Sequence, residues 1–190
     1  MVSMSSARPG TDSTKPRLAE STMRPFLAAL VPAIGGSLLL RLFPDLEVEL
    51  FARCSALLAS LLTGSPIIRV DDGWLLPGAG LSVVVTRACS ATDFFLMVAC
   101  LLCWQLKRRG RSSGVAIAGG TIAAFPLAVF VNSLRVVALA QAHRWFIPHF
   151  PDAYGPFLHL AIGVAIFLPS LIALNALLEN TGAPRRIFRF

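Results

Sequence analysis

Three residues in three separate stretches have the types needed to do chemistry together: Cys89, Arg135 and His159. Cys89 stands in Arg87-Ala88-Cys89-Ser90-Ala91-Thr92-Asp93-Phe94-Phe95, where a polar, strand-like segment (Ile67 to Val85) gives way to an apolar run ending near Leu106. The thiolate is the reactive form of cysteine, and a helix N-terminus beside a cation favours it. Arg87 precedes this cysteine, and Asp93 follows one helical turn later. Arg135 closes Asn132-Ser133-Leu134-Arg135, so Asn132 shares its helix face. An arginine within an apolar run is costly and ordinarily has a partner or a task. His159 lies at the start of the last apolar run. Nucleophile, base and oxyanion-stabilising cation are what acyl transfer by a thiol requires. Singly, each has a plainer reading: a small apolar residue near a cap, a headgroup-seeking arginine, an interfacial histidine. The elements that carry them decide whether they can meet.

Those elements are membrane segments by composition. The 190 residues are 55% hydrophobic and 14% charged, with a mean hydropathy of +0.70, which leaves too little charge to cover a water-soluble domain of this size. A net charge of +7 raises nucleic acid as a partner, but its distribution argues for no nucleic acid and for membrane lipid instead. Eleven of the 17 Lys and Arg fall in three clusters: Arg8, Lys15, Arg17 and Arg24; Lys107, Arg108, Arg109 and Arg111; Arg185, Arg186 and Arg189. Each abuts an apolar run, as positive residues do where they hold segment ends in the cytoplasm. A nucleic-acid face would gather them with aromatics between. Cys54, Cys89, Cys100 and Cys103 sit in apolar surroundings, unlike a disulfide framework. Cys100-Leu-Leu-Cys103 lacks the accessible helix start of a redox pair and reads as two buried thiols.

Residues 1–24, rich in Ser, Thr, Pro and charge, are expected to form a disordered cytoplasmic tail. Residues 25–180 form the membrane-embedded domain, and 181–190 a basic cytoplasmic tail. The first span covers Phe26 to Phe43, with Pro32 and Gly35-Gly36 allowing a bend or a close helix contact. Asp45 to Thr63 carries Glu47, Glu49 and Arg53 and leaves only Cys54 to Leu62 uncharged, short of the ~20 residues of a span, so it is placed as an outer interfacial helix. Ile67–Val70, Asp71-Asp72-Gly73 and Trp74–Leu76 read as a hairpin; Pro77–Gly80 turns into a third strand, Leu81 to Val85. Ala88 to Leu106 spans inward to Lys107–Arg111, Gly114 to about Ala140 returns outward with Gly119-Gly120 as a packing notch, Trp145 to Tyr154 forms an outer loop, and Phe157 to Leu178 goes back in. The expected fold is an all-α integral membrane protein of about four transmembrane helices, with an outer interfacial helix and a small extracytoplasmic β-hairpin before the cysteine.

This topology places the three residues at one depth. At ~1.5 Å per residue, about 20 residues from Gly114 cross the hydrocarbon and arrive at Asn132–Arg135. Cys89 and His159 start their spans at the same outer surface.

The same residues carry a family resemblance. Arg69-Val70-Asp71-Asp72-Gly73, Leu76-Pro77, Val83-Val84-Val85 and Ala88-Cys89-Ser90 resemble the approach to the catalytic cysteine in the exosortase/archaeosortase family. Asn132-Ser133-Leu134-Arg135 resembles its Asn-x-x-Arg motif, and His159 with Gly163 its histidine helix. The likeness runs from about Leu46 to Phe167. It departs where the family's Cys-Ser-Gly reads Cys-Ser-Ala, and this chain has fewer helices than many members. The resemblance implies Cys89 as nucleophile, Arg135 as the residue that polarises or stabilises the carbonyl oxygen and His159 as base, with Asn132 beside them in the motif; Asp93 and Arg87 are supporting candidates from their places around the cysteine. It implies a cysteine transpeptidase of the cytoplasmic membrane, active on the extracytoplasmic face. Its partners would be exported proteins that end in a sorting motif, a membrane helix and a basic tail. The sequence holds no metal cluster, phosphate loop or dinucleotide motif, so no cofactor is expected. The rival classes are a non-enzymatic membrane subunit or assembly factor, and a small transporter, for which no inverted repeat is visible.

Overall fold

The computed structural model describes residues 16–78, 82–146, 149 and 154–182. Expectations for residues 1–15, 79–81, 147–148, 150–153 and 183–190 lie outside the described residues. Four long helices dominate: α1 (Pro16–Leu42), α4 (Thr92–Arg108), α5 (Ser113–Phe146) and α6 (Gly155–Gly182). Each contains a stretch long and apolar enough to cross a membrane. Between α1 and α4 lie a short α2 (Pro44–Leu46), a π-helical stretch (Glu47–Ala52), α3 (Arg53–Thr63), and strands β1 (Ile68–Val70), β2 (Gly73–Leu76) and β3 (Val83–Thr86).

α1 begins at Pro16, so residues 16–24, expected within the tail, continue the helix. Extending an existing helix costs far less than nucleating one, and a proline at its first position has no N–H to lose. α5 likewise runs past Ala140 to Phe146.

The core forms where small residues let helices approach. α4 turns Phe94, Phe95, Val98 and Ala99 toward Ala124, Ala128 and Val131 of α5, with Leu40 of α1 and Phe51 completing the cluster. A side chain at Gly120 would run into the Cys103 backbone, and one at Gly36 into Leu96, so both glycines are close-approach points on α4. α3 buries Ser55, Ala56 and Ala59, a stripe continued by Ala52 of the π-helical stretch, which brings its backbone against α5.

The strands pair antiparallel in the order β1-β2-β3, so the third strand expected over Leu81 to Val85 joins the hairpin as Val83–Thr86. The sheet is clamped to α3 by Trp74, whose ring has the guanidinium groups of Arg53 and Arg69 within 5.2 and 5.0 Å of its centroid. Glu49 pairs with both arginines, at 3.9 and 3.2 Å. Two cations on one aromatic ring, bridged by a carboxylate, fix the sheet relative to α3.

β3 feeds a single 3-10 turn, Arg87–Cys89, and α4 starts at Thr92. Between them Ala91 takes a left-handed conformation, with φ 59° and ψ 22°. For an L-residue this costs roughly 1–2 kcal/mol. Glycine would relieve that strain but adds backbone entropy of roughly 0.5–1 kcal/mol and gives up a buried methyl worth about 0.8 kcal/mol. Ala91→Gly is therefore expected to stay within about 1 kcal/mol of wild type, whereas Ala91→Val, β-branched at positive φ, should lose about 2 kcal/mol or more. Unfolding in mixed detergent micelles measures both, and equal effects of the two substitutions would contradict the strained geometry.

Candidate active site

Cys89 sits in the 3-10 turn, just before α4 rather than within its first turn, and is 8% exposed. Asn132 of α5 donates through Nδ2 to the Cys89 carbonyl at 2.6 Å and to Ser55 Oγ at 3.0 Å. Ser133 donates to the carbonyl of Ser55 at 3.1 Å. The turn is thus tied to α5 and α3 through buried polar contacts that leave the thiol free to face α6.

There, Cys89 Sγ lies 3.8 Å from His159 Nε2. Arg135 is hydrogen-bonded to the same Nε2. A guanidinium only donates, so Nε2 accepts and His159 is the neutral tautomer with its proton on Nδ1. Cys89 and Arg135, from two other segments, therefore converge on the one lone pair of His159 Nε2. α6 provides the bed for the arginine. A Cβ at Gly163 would lie 3.3 Å from Arg135 Nε, so the absence of a side chain one turn after His159 makes room for the guanidinium. One turn further, Phe167 lies under it at 5.1 Å and stacks on Phe94 with ring centroids 4.5 Å apart. Arg135 is 8% exposed and is held by a ring face and an imidazole rather than by a carboxylate.

The other two expected supporting residues lie differently. Arg87 is turned to Glu47, with Nε 2.5 Å from Oε2, and so serves neither Cys89 nor Asp93 directly. Asp93 is exposed at the start of α4 and forms no ion pair among the described residues. Glu47 is the site residue that sequence reasoning missed. Its Oε1 accepts from Ser90 Oγ at 2.6 Å and Thr92 Oγ1 at 2.8 Å. Burial opposes its charge, but these hydrogen bonds and the Arg87 cation hold its carboxyl below the usual carboxylate range. The stability it adds is present above that range and is lost as acid titrates Glu47 through its lowered value.

Glu47, Asp93, Arg135 and His159 line the polar end of a groove of about 570 Å³ between α4 and α6. Its apolar end, at Met97 and Leu171, continues into a second hollow of about 630 Å³ that reaches Asn175 and Glu179. Together they trace the α4–α6 seam along most of its length. The seam is closed at its far end by Gln105 Nε2 to Asn175 Oδ1 (3.3 Å) and by Arg109, which binds the Leu178 carbonyl and Thr181 Oγ1. Among the described residues, no group of three His, Cys, Asp or Glu is placed to hold a metal ion. The chain matches no protein-family model, no curated protein and no solved structure.

Proposed function

We propose that this chain is a multi-pass membrane cysteine transpeptidase whose site lies at the extracytoplasmic face. The observation that carries the reading is the convergence of Cys89, His159 and Arg135 on one point from three segments. The basic cluster after α4 supports the orientation, since it puts Lys107 to Arg111 in the cytoplasm and Cys89 at the other end. The left-handed backbone at Ala91 supports the resemblance, because it is the conformation that the glycine of a Cys-Ser-Gly pattern adopts without strain.

In this reading an exported protein lies with its C-terminal membrane helix along the α4–α6 seam and its scissile peptide at the polar end. Arg135 moves from His159 Nε2 to the substrate carbonyl oxygen, which frees the lone pair to take the Cys89 proton. The sulfur attacks the carbonyl carbon, and Arg135 holds the oxyanion. Collapse breaks the C–N bond, and the departing amine takes the proton from His159, leaving a thioester on Cys89. An acceptor amine or water then attacks the thioester, gives its proton to His159, and restores the thiol.

The test is covalent capture. Membranes from cells making the tagged chain are quenched in acid, and the chain is purified under denaturing conditions. Mass spectrometry is expected to find a peptide acyl group on Cys89 that hydroxylamine removes. Acyl groups absent from Cys89 during active export, or found equally on Cys54, would overturn the reading.

A further inference from the structure

We infer that Glu47 is a positioning residue that holds the Cys89 turn in its reactive geometry, an inference that rests on Cys89 being the nucleophile. Glu47 belongs to the π-helical stretch, where one extra residue per turn shifts a helix face, and such stretches recur at functional sites. It is 8% exposed, and its three donors bracket the cysteine: Arg87 two residues before, Ser90 one after, Thr92 three after. One carboxylate therefore ties both arms of the turn. The backbone it restrains is irregular, since the 3-10 turn and the left-handed Ala91 interrupt the ladder between β3 and α4. Asn132 fixes the Cys89 carbonyl from the opposite side at 2.6 Å, so the residue is gripped from two directions.

Packing alone does not account for a carboxylate here. Its neighbours along the interfacial helix, Phe51 and Ala52, are buried and apolar, and a side chain like theirs would fill the space without the cost of desolvating a charge. Nor is Glu47 free to act as a base. Ser90 and Thr92 each have a single hydroxyl proton, and both are directed to Oε1, although the two oxygens also lie 2.8 Å apart. Oε2 is engaged by Arg87. What remains is geometry: Glu47 sets where the sulfur stands relative to His159 Nε2.

Acylation by p-nitrophenyl acetate tests this without a natural substrate. The acetyl group passes to Cys89 Sγ, nitrophenolate leaves, and the thiol proton goes to His159, so the burst of nitrophenolate reports the first half-reaction. The full chain is held in nanodiscs, rates are normalised to the folded fraction, and acetyl-Cys89 is verified by mass spectrometry. For Glu47→Gln, the limiting acylation rate is expected to fall roughly 10- to 100-fold with half-saturation changed less than about twofold. Glu49→Gln, which alters only the contacts to Arg53 and Arg69, should match wild type. If Glu47→Gln does not fold, the Thr92 pair carries the test: Thr92→Val should slow acylation, and Thr92→Ser, which keeps the hydroxyl, should restore it. Wild-type acylation rates in Glu47→Gln, or in Thr92→Val where Glu47→Gln does not fold, would overturn the positioning role. A wild-type chain whose Cys89 takes no acetyl group would overturn the nucleophile assignment instead.

Discussion

Cells carrying Cys89→Ser are expected to keep normal membrane levels of the protein while its exported substrates retain their C-terminal membrane helices. The substitution is nearly isosteric, and Ser90 beside it already shows that a hydroxyl is accommodated in this turn. What changes is the nucleophile. A serine hydroxyl at neutral pH, with only a neutral imidazole at 3.8 Å from the position of the sulfur, is a far poorer attacking group. Loss of turnover should be roughly 10³-fold or more, as for removal of a covalent nucleophile elsewhere. His159→Ala should behave alike, because the remaining thiol has no acceptor for its proton. Cys54, Cys100 and Cys103 are controls in the same chain. Cys103 is fully buried with its sulfur 3.7 Å from the Ile117 carbonyl, so its replacement by serine is a packing change of about 1 kcal/mol. C-terminal peptide mapping of membrane proteins reads the outcome. Substrate matured at the wild-type rate by Cys89→Ser would sink the transpeptidase proposal, and a loss that merely tracks protein abundance would point to a scaffold.

Much of this arrangement is legible in the sequence because long apolar segments are simple to read. Apolar runs between basic clusters located α1, α4, α5 and α6, and counting residues from Gly114 brought Arg135 to the level of Cys89 and His159. Glu47 escaped for a physical reason. Residues 47, 51, 55 and 59 are spaced about one helical turn apart and lie on the buried face of the π-helical stretch and α3, but they read Glu, Phe, Ser, Ala. A stripe built of small and polar residues has little hydropathy, so the segment reads as an outer interfacial helix crowded with charges, with nothing in its hydropathy to single out Glu47. The signal was a carboxylate in register with Phe51 and Ala59. Its partners, 40 to 45 residues away, were not visible from spacing. The same distance hid the destination of Arg87, which local reading set beside Cys89. Asp93 itself shows the limit of proximity in sequence, since it borders the groove without joining the hydrogen-bonded set.

Arg135→Lys is expected to reduce turnover by roughly 10²-fold or more while the chain still inserts and folds. The guanidinium makes two kinds of contact at once: it donates to His159 Nε2 and lies over the Phe167 ring at 5.1 Å. Its planar fork lets one N–H move to a substrate carbonyl oxygen while the plate remains on the ring. A lysine ammonium is compact and strongly hydrated, and it cannot offer the same pair of directions from the same backbone position. Gly163 sharpens the point, because the space it leaves is shaped to a guanidinium 3.3 Å away. If the arginine were only an anchor to headgroups, lysine would serve equally well and Arg135→Met would be the damaging change. The catalytic reading predicts that Arg135→Lys, Arg135→Met and Arg135→Ala are all deficient at near-normal abundance. It also predicts chemical rescue: the groove beside Arg135 admits small solutes, so millimolar guanidinium should restore part of the acylation burst in Arg135→Ala, and ammonium should not. Full activity in Arg135→Lys and Arg135→Ala would reduce the residue to an anchor; rescue by guanidinium alone would place its charge and its shape in the reaction.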